Sequence, residues 1–394
     1  MANLFDYIQE VEYDSFYDIP LTKLDLLALT ELSYLPFNQL VSPAFSRENG
    51  IRLDHLAQAF QEAFTDGFPP FSMVTKNRLK LLRVLANANR FKYIKVFAFV
   101  DEVSLDLQKQ FAALCFSLNR QQTVVSFRGT DDTIIGWKED FHMTYLEEIP
   151  AQKSALLYLQ QVMEEVGGTF FVTGHSKGGN LALFASSLVG SDLQERIVQV
   201  LAFDAPGLHK TITQSAGYQA ITEKFLPIVP QNSIVGMMLE QTERAQIVYS
   251  NTIGLLQHIT FSWEVVGLDF KPAQALTDNS LQTDQTLKTW TASLTEEELR
   301  HFFDLFFGIF IEAGIQRFSD LTVDTPMKIR QIIENGRQLS PQEQAMMERL
   351  SRQLIDTRYQ IWKESLAHSL PKPPALLDDW WQQFQEQSRK KEES

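Results

Sequence analysis

Phe170-Phe171-Val172-Thr173-Gly174-His175-Ser176-Lys177-Gly178-Gly179-Asn180-Leu181-Ala182-Leu183 is the stretch whose reading decides this chain. The opening residues are aromatic or β-branched and read as a short buried strand, while the closing ones favour a helix. Between them stands a G-x-S-x-G pattern from Gly174 to Gly178, with Gly179 directly after it. A serine forced into a tight strand-to-helix turn projects its Oγ into solvent, and glycines two before and two after it let the two backbones cross closely. The helix N-terminus beneath adds partial positive charge where an oxyanion forms. Ser176 is therefore the candidate nucleophile, Gly174 and Gly178 are the elbow glycines, and the Lys177 N–H is an oxyanion donor whatever its side chain does. The Lys177 charge hints at an anionic substrate. The competing reading of the segment is a serine- and glycine-rich helix start with no chemistry.

The flanking sequence supplies the context this turn requires. Residues 94–103, 110–118 and 123–127 read as consecutive strands, followed by a helix over 151–166, a strand over 169–173, a helix over 177–188 and a strand over 197–203. Short apolar strands separated by helices imply a mostly parallel sheet covered on both faces. The expected fold class is α/β, of the α/β-hydrolase type that hosts such an elbow. Before this core, 24–34 and 52–64 have helical spacing, and Gly67-Phe68-Pro69-Pro70 reads as a turn. After it, strand signals stop. Ser293-Leu294-Thr295-Glu296 and Ser340-Pro341-Gln342-Glu343 both have the form of a capping box, the second with Pro at the first helical position. Met347, Leu350, Leu354 and Ile361 then form one apolar stripe, which Pro371, Pro373 and Pro374 end. The expected division is a helical lead over 1–88, a core over 89–270, and a helical region over 271–394 that serves as a cap or an oligomerisation element.

Composition bounds the function. With 394 residues, 44% of them hydrophobic, the chain can bury a sizeable core without staples. The single cysteine, Cys115, lies in an apolar run and reads as a buried thiol. A formal net charge of −14 argues against nucleic-acid or anionic-membrane binding by bulk electrostatics. The run from Phe302 to Ile311 contains Asp304 and is too short to span a bilayer, so no transmembrane segment is expected. The first residues lack a basic region followed by an apolar stretch, which leads to a cytoplasmic expectation.

A second signal precedes the elbow. Thr123-Val124-Val125-Ser126-Phe127-Arg128-Gly129-Thr130-Asp131-Asp132 runs from a strand into a polar loop, and Trp137 and Asp140 follow. In an α/β hydrolase the second oxyanion donor comes from the loop after the third core strand, the place this segment takes in chain order. Phe-Arg-Gly-Thr, then Trp-x-x-Asp, then Gly-His-Ser-x-Gly-Gly resembles the class 3, or fungal-type, lipases over about 123–263. The whole chain looks closer still to a related bacterial family described as Mbeg-like. The lipase resemblance implies that Thr130 donates its N–H, and its hydroxyl with it, to the oxyanion. Arg128 and Asp140 would hold the loop, and Trp137 would pack.

A serine nucleophile needs a base and an acid, in the chain order Ser, Asp or Glu, His for this fold. Of the seven histidines, His55 and His142 precede the elbow, His175 is inside it and His209 follows too closely. His258, in Leu255-Leu256-Gln257-His258-Ile259 after the strand-like 245–249, is the candidate base. His301 and His368 fall in the helical region and read as surface or packing residues. In class 3 lipases the acid follows the penultimate strand within Asn-Asp-x-Val, but the matching stretch here is Gln231-Asn232-Ser233-Ile234-Val235, with serine where that acid would stand. Asp204, at the carboxyl end of the strand after the nucleophile helix, is the alternative and the candidate acid, an arrangement resembling pancreatic-type lipases.

These residues point to acyl transfer to water with an ester or lipid as substrate. No metal or cofactor is expected, since the histidines and acids show no zinc-type spacing. Two other readings stand beside it: a non-catalytic scaffold used for binding, and a thioesterase or peptidase using the same triad. The stripe Leu299, Phe302, Phe303, Phe306 and Phe310 fits core packing, a homo-oligomer contact, a cover over the site or a contact with lipid.

Overall fold

The computed structural model of the chain describes residues 2–65, 75–104, 106–131, 133–239, 244–315, 317 and 325–369. The turn at Gly67 to Pro70 and the prolines after 370 lie outside them. Among the described residues four helices occupy the lead: α1 (Leu4–Glu10), α2 (Lys23–Leu32), α3 (Leu53–Ala63) and α4 (Thr75–Asn87). Asn3 and Thr22 cap α1 and α2 with side-chain oxygens, each in a capping box with an aspartate three residues on.

One eight-stranded sheet runs through the molecule in sequence order: β1 (Ile51–Arg52), β2 (Lys95–Ser104), β3 (Lys109–Ser117), β4 (Gln122–Phe127), β5 (Thr169–His175), β6 (Ile197–Phe203), β7 (Phe225–Pro230) and β8 (Gln246–Val248). Strands β1 to β4 pair antiparallel, and β4 to β8 pair parallel. The expected strands and helices of this region are present, with ends differing by a few residues. The two-residue β1 was not foreseen, being too short to carry a period.

Sequential order in the parallel half has a consequence for layering. Right-handed crossovers between neighbouring parallel strands all pass over the same face. The helices on these crossovers, α5 (Ile134–His142), α6 (Pro150–Glu165), α7 (Lys177–Leu188), α8 (Ser191–Glu195), α9 (Lys210–Thr213) and α10 (Ala216–Ile221), cannot cover the other side. Strand alternation separates two cores accordingly. Val125, Phe170, Val172 and Val200 pack with α6, α7 and α10 in one hydrophobic cluster. Val124, Phe171 and Leu201 pack with residues of α1 to α4 in another. The helical lead is thus the second cover of the sheet.

Buried polar contacts fasten the lead in place. Arg90 pairs with Asp25 at 2.6 Å with both side chains fully buried, and Tyr7 donates to the same carboxylate at 2.8 Å. Arg78 pairs with Glu31 at 2.8 Å, and the Thr30 hydroxyl meets that of Thr173 on β5 at 3.0 Å. Charges this deep are tolerated because each finds a partner, so removing one partner is far costlier than never having had the pair. Cys115 is buried on β3, and burial pushes its thiol up to about 12, which agrees with an inert packing residue.

Beyond β8 a small hairpin, β9 (Val265–Val266) and β10 (Asp269–Phe270), precedes the helices α11 (Asp278–Ala292), α12 (Glu296–Glu312), α13 (Thr325–Gln338) and α14 (Pro341–Ser369). The capping box at Ser340 and Glu343 forms as expected, with Pro341 opening α14. The box expected at Ser293 and Glu296 does not form: Thr295 is the cap and Glu298 its partner. Ser293 is taken by the end of α11, where its N–H closes the last turn. Leu350 and Ile361 of the α14 stripe are buried, and Leu350 joins Trp290, Phe302, Phe303 and Phe307 in a third cluster that includes Ile134 of α5. Most of the phenylalanine stripe is therefore core packing against α5. Among the described residues no helix is long and apolar enough to cross a membrane.

Candidate active site

The β5 to α7 turn is as sharp as its glycines predict. Ser176 sits at φ +58°, a left-handed backbone that non-glycine residues rarely adopt, and its N–H is held by the Phe203 carbonyl at 2.9 Å. A Cβ on Gly174 would lie 2.1 Å from the Gly178 carbonyl, and one on Gly178 would lie 2.1 Å from the Phe127 oxygen, so neither position admits a side chain. The expectation of an Oγ in open solvent needs correction. Ser176 is only 6% exposed and opens instead onto a cavity of about 190 Å³.

Residues distant in the chain line that cavity: Thr130, Trp137, Asp140, His175, Ser176, His258, and also Glu31, Tyr34 and Arg78 from the lead. His258 ends a short 3-10 turn after β8. The turn is pinned from three sides. Trp263 Nε1 donates to the Gln257 carbonyl at 2.8 Å, the Gln257 amide reaches the Thr252 carbonyl at 2.7 Å, and Gln257 Oε1 accepts from the Asn232 N–H at 2.9 Å. Asp204 lies beneath, almost fully buried at the end of β6, with Oδ2 at 2.6 Å from His258 Nδ1. Ser176 and His258 line the same cavity with no hydrogen bond between them among the described contacts.

His175, which the chain-order argument set aside, and Tyr34 of the lead support this geometry. His175 directs Nε2 to the His258 carbonyl at 2.9 Å and Nδ1 to the Tyr34 hydroxyl at 2.8 Å. Burial holds its pKa well below the ordinary histidine range, so the ring is neutral, with its proton on Nε2 facing the carbonyl. Tyr34 is covered in turn by the Arg78 guanidinium, 3.6 Å above its ring. No local pattern marks Tyr34, Arg78 or Glu31 as neighbours of Ser176, because the contact depends on how the lead folds across the sheet.

The loop bearing Thr130 is braced as the resemblance implied. Arg128 grips Asp101 through two nitrogens, at 2.9 and 2.6 Å, and the Thr130 hydroxyl donates to Asp140 at 2.7 Å. That bond directs the hydroxyl at a carboxylate and away from an oxyanion. Lys177 begins α7, where its N–H lacks an intrahelical acceptor. Its ammonium is buried against Glu139 at 2.8 Å and the Gln110 carbonyl at 3.1 Å, so the hint of an anionic substrate from its charge is withdrawn. Trp137 both lines the cavity and packs toward α12.

Burial raises the Asp140 carboxyl to about 6, against the opposing pull of Lys177 and the Thr130 bond, with Glu139 adding to the rise and His258 opposing it. A carboxyl whose folded pKa lies above its unfolded value of 3.8 binds its proton more tightly in the native state, so its cost to stability is absent at low pH. The cost grows as pH rises between those values and is complete above about 6. Asp140→Asn is expected to remove this slope. Unfolding free energies from urea titrations between pH 5 and 8 should show the variant gaining on the parent as pH rises, by about 1.4 kcal/mol, since roughly half of the full cost of about 3 kcal/mol is already present at pH 5. A constant difference across that range would refute the assignment.

Among the described residues no three His, Cys, Asp or Glu side chains converge to hold a metal ion. A larger open groove of about 580 Å³ between α11 and α14 is lined by groups such as Gln285, Arg349 and Asp356 and contains no histidine.

A parallel half-sheet bearing a strained serine elbow at its carboxyl edge, beside a His–Asp pair, defines an α/β-hydrolase fold. Residues 85–308 match the Mbeg1-like family, and the chain belongs to that family. Among solved structures it is similar to M37 lipase, with 14% identity over 64% of this chain and 82% of that one and a TM-score of 0.34. It is also similar to Rhizomucor miehei lipase in its propeptide complex, with 12% identity over 66% and 76% and a TM-score of 0.36. A third is the lipase of Rhizopus microsporus var. chinensis, with 13% identity over 61% and 85% and a TM-score of 0.32. Comparison with curated proteins found no match.

Proposed function

We propose that this protein is a serine hydrolase that cleaves a carboxylic ester through an acyl-enzyme. Ser176 Oγ attacks the carbonyl carbon while its proton passes to His258 Nε2. Asp204 orients the ring through Nδ1 and stabilises the imidazolium that forms. The N–H groups of Lys177 and Thr130 receive the negative charge on the carbonyl oxygen. Collapse of the tetrahedral intermediate breaks the ester C–O bond, and the alcohol leaves with the proton returned by His258. Water then repeats the cycle on the acyl-enzyme, losing a proton to His258, and releases the acid with Ser176 restored.

The observation that carries this reading is the 2.6 Å His258–Asp204 bond beside a cavity that Ser176 also lines. The missing Ser176–His258 bond is compatible with it, since catalytic hydrogen bonds are often long in ligand-free sites and tighten around substrate. Residues 1–88 act as a lead that also walls the cavity, and the region after 270 braces α5.

Labelling by a fluorophosphonate probe tests the proposal, with the protein reacting and the Ser176→Ala variant not. Failure of the folded parent to react favours a binding scaffold. The cavity volume, together with the polar Glu31, Tyr34 and Arg78 on its lining, suits a short acyl group. Across p-nitrophenyl esters, kcat/KM is expected to peak near butyrate and fall by about tenfold or more toward palmitate. A maximum at palmitate would refute the short-acyl assignment.

A further inference from the structure

A buried carboxylate needs donors for both oxygens. Asp204 Oδ2 faces His258 Nδ1, and Oδ1 accepts a short hydrogen bond from the Ser233 hydroxyl and another from the Gly236 N–H at 3.1 Å. The direction of the Ser233 proton follows from its surroundings. Gly236 N–H also points at Ser233 Oγ, at 2.9 Å, which occupies the acceptor side of the hydroxyl and leaves its proton for the carboxylate. Ser233 is 1% exposed, so bulk water does not compete for that bond. Its backbone is held as well: the N–H bonds the Pro230 carbonyl at 3.0 Å, and its own carbonyl accepts from the Ser280 hydroxyl of α11. Asp204 sits at φ +42°, a strained backbone for a non-glycine residue, which persists only where neighbours over-determine it.

We infer that Ser233 is a positioning residue for the acid: its hydroxyl, aimed by Gly236 and steadied by α11 through Ser280, keeps the Asp204 carboxylate turned toward His258 Nδ1. The inference rests on the reading of Ser176, His258 and Asp204 as a triad. Ser233 does not line the cavity, so it acts through Asp204 and never on substrate. Two signatures follow that a merely structural residue would not give. Its loss lowers kcat and leaves KM unchanged, and that loss vanishes once Asp204 is gone.

The experiment measures kcat and KM with p-nitrophenyl butyrate for the full-length parent, Ser233→Ala, Asp204→Ala and the double variant, each checked by thermal melt. Ser233→Ala should lose about 10- to 100-fold in kcat, the range for a hydrogen bond to a charged group, with KM within about twofold. On the Asp204→Ala background the same change should move kcat by less than about twofold. Ser233→Cys keeps the size but donates weakly, so it should fall between parent and Ala. An equal loss on both backgrounds overturns the inference, as does a Ser233→Ala kcat near that of the parent. Should Ser233→Ala fail to melt cooperatively, a Ser233→Cys kcat equal to the parent's overturns it instead. A parent inert to both ester and fluorophosphonate removes the enzymatic reading and this inference together, and that outcome is read from the parent alone. An active parent with an indifferent position 233 removes only the inference.

Discussion

Ser176→Ala is expected to lower kcat on a short ester by a factor on the order of 10⁶ and to abolish fluorophosphonate labelling, while leaving the melting profile close to that of the parent. The magnitude reflects how the triad works as a unit: without the nucleophile, His258 has no proton to accept, and only the oxyanion donors and binding remain. The backbone adds a second readout. Ser176 holds φ at +58°, a conformation that glycine adopts without the cost a Cβ brings. Ser176→Gly is therefore expected to be as inactive as the alanine variant yet more stable, by about 1 kcal/mol, because it releases strain kept for the sake of the elbow. Residual turnover in Ser176→Ala within about tenfold of the parent would assign the nucleophile elsewhere and take the mechanism with it.

Asp204→Asn should cost about 10⁴-fold in kcat with little change in KM. Asparagine preserves the shape and tolerates a positive φ better than most residues, so the variant is expected to fold. Its chemistry changes nonetheless. A carboxylate accepts the Nδ1 proton and stabilises the imidazolium, whereas an amide can offer a donor to Nδ1 and favour the tautomer with its proton on Nε2, which cannot accept from Ser176. Steady-state kinetics of the purified variant, with a melt as control, decide the matter. A loss of less than about tenfold would make Asp204 a structural partner of His258 rather than its acid.

Much of this site was legible in the chain itself because its parts obey local rules. The elbow is a strand, a glycine-framed serine and a helix in immediate succession, and β5, Ser176 and α7 fall where those signals put them. Asp204 and His258 emerged from chain order and from position after a strand, and the structure brings the two together. Serine stands at 233 where the class 3 lipase pattern has an acid, yet the structure bonds its hydroxyl to the Asp204 carboxylate one strand over. Local pattern could not reveal that bond, because Ser233 and Asp204 are joined only through the spacing of β6 and β7.

The limits have the same origin at the scale of the fold. Apolar residues on both faces of successive strands, such as Val124 beside Val125 and Phe170 beside Phe171, said that the sheet is covered twice. They could not say by what. Periodicity is a property of a few consecutive residues, whereas the second cover depends on strand order, which places the crossover helices on one face and leaves the other to the lead. From that docking follow Tyr34 against His175, Arg78 over Tyr34 and Glu31 at the cavity wall. The amino-acid sequence alone thus determined the elbow, the alternation and the candidate chemistry, each written in near neighbours. Tertiary structure alone decided which distant residues enclose Ser176 and which hydroxyl bonds the Asp204 carboxylate, since those contacts exist only once the strands are ordered and the lead has closed over them.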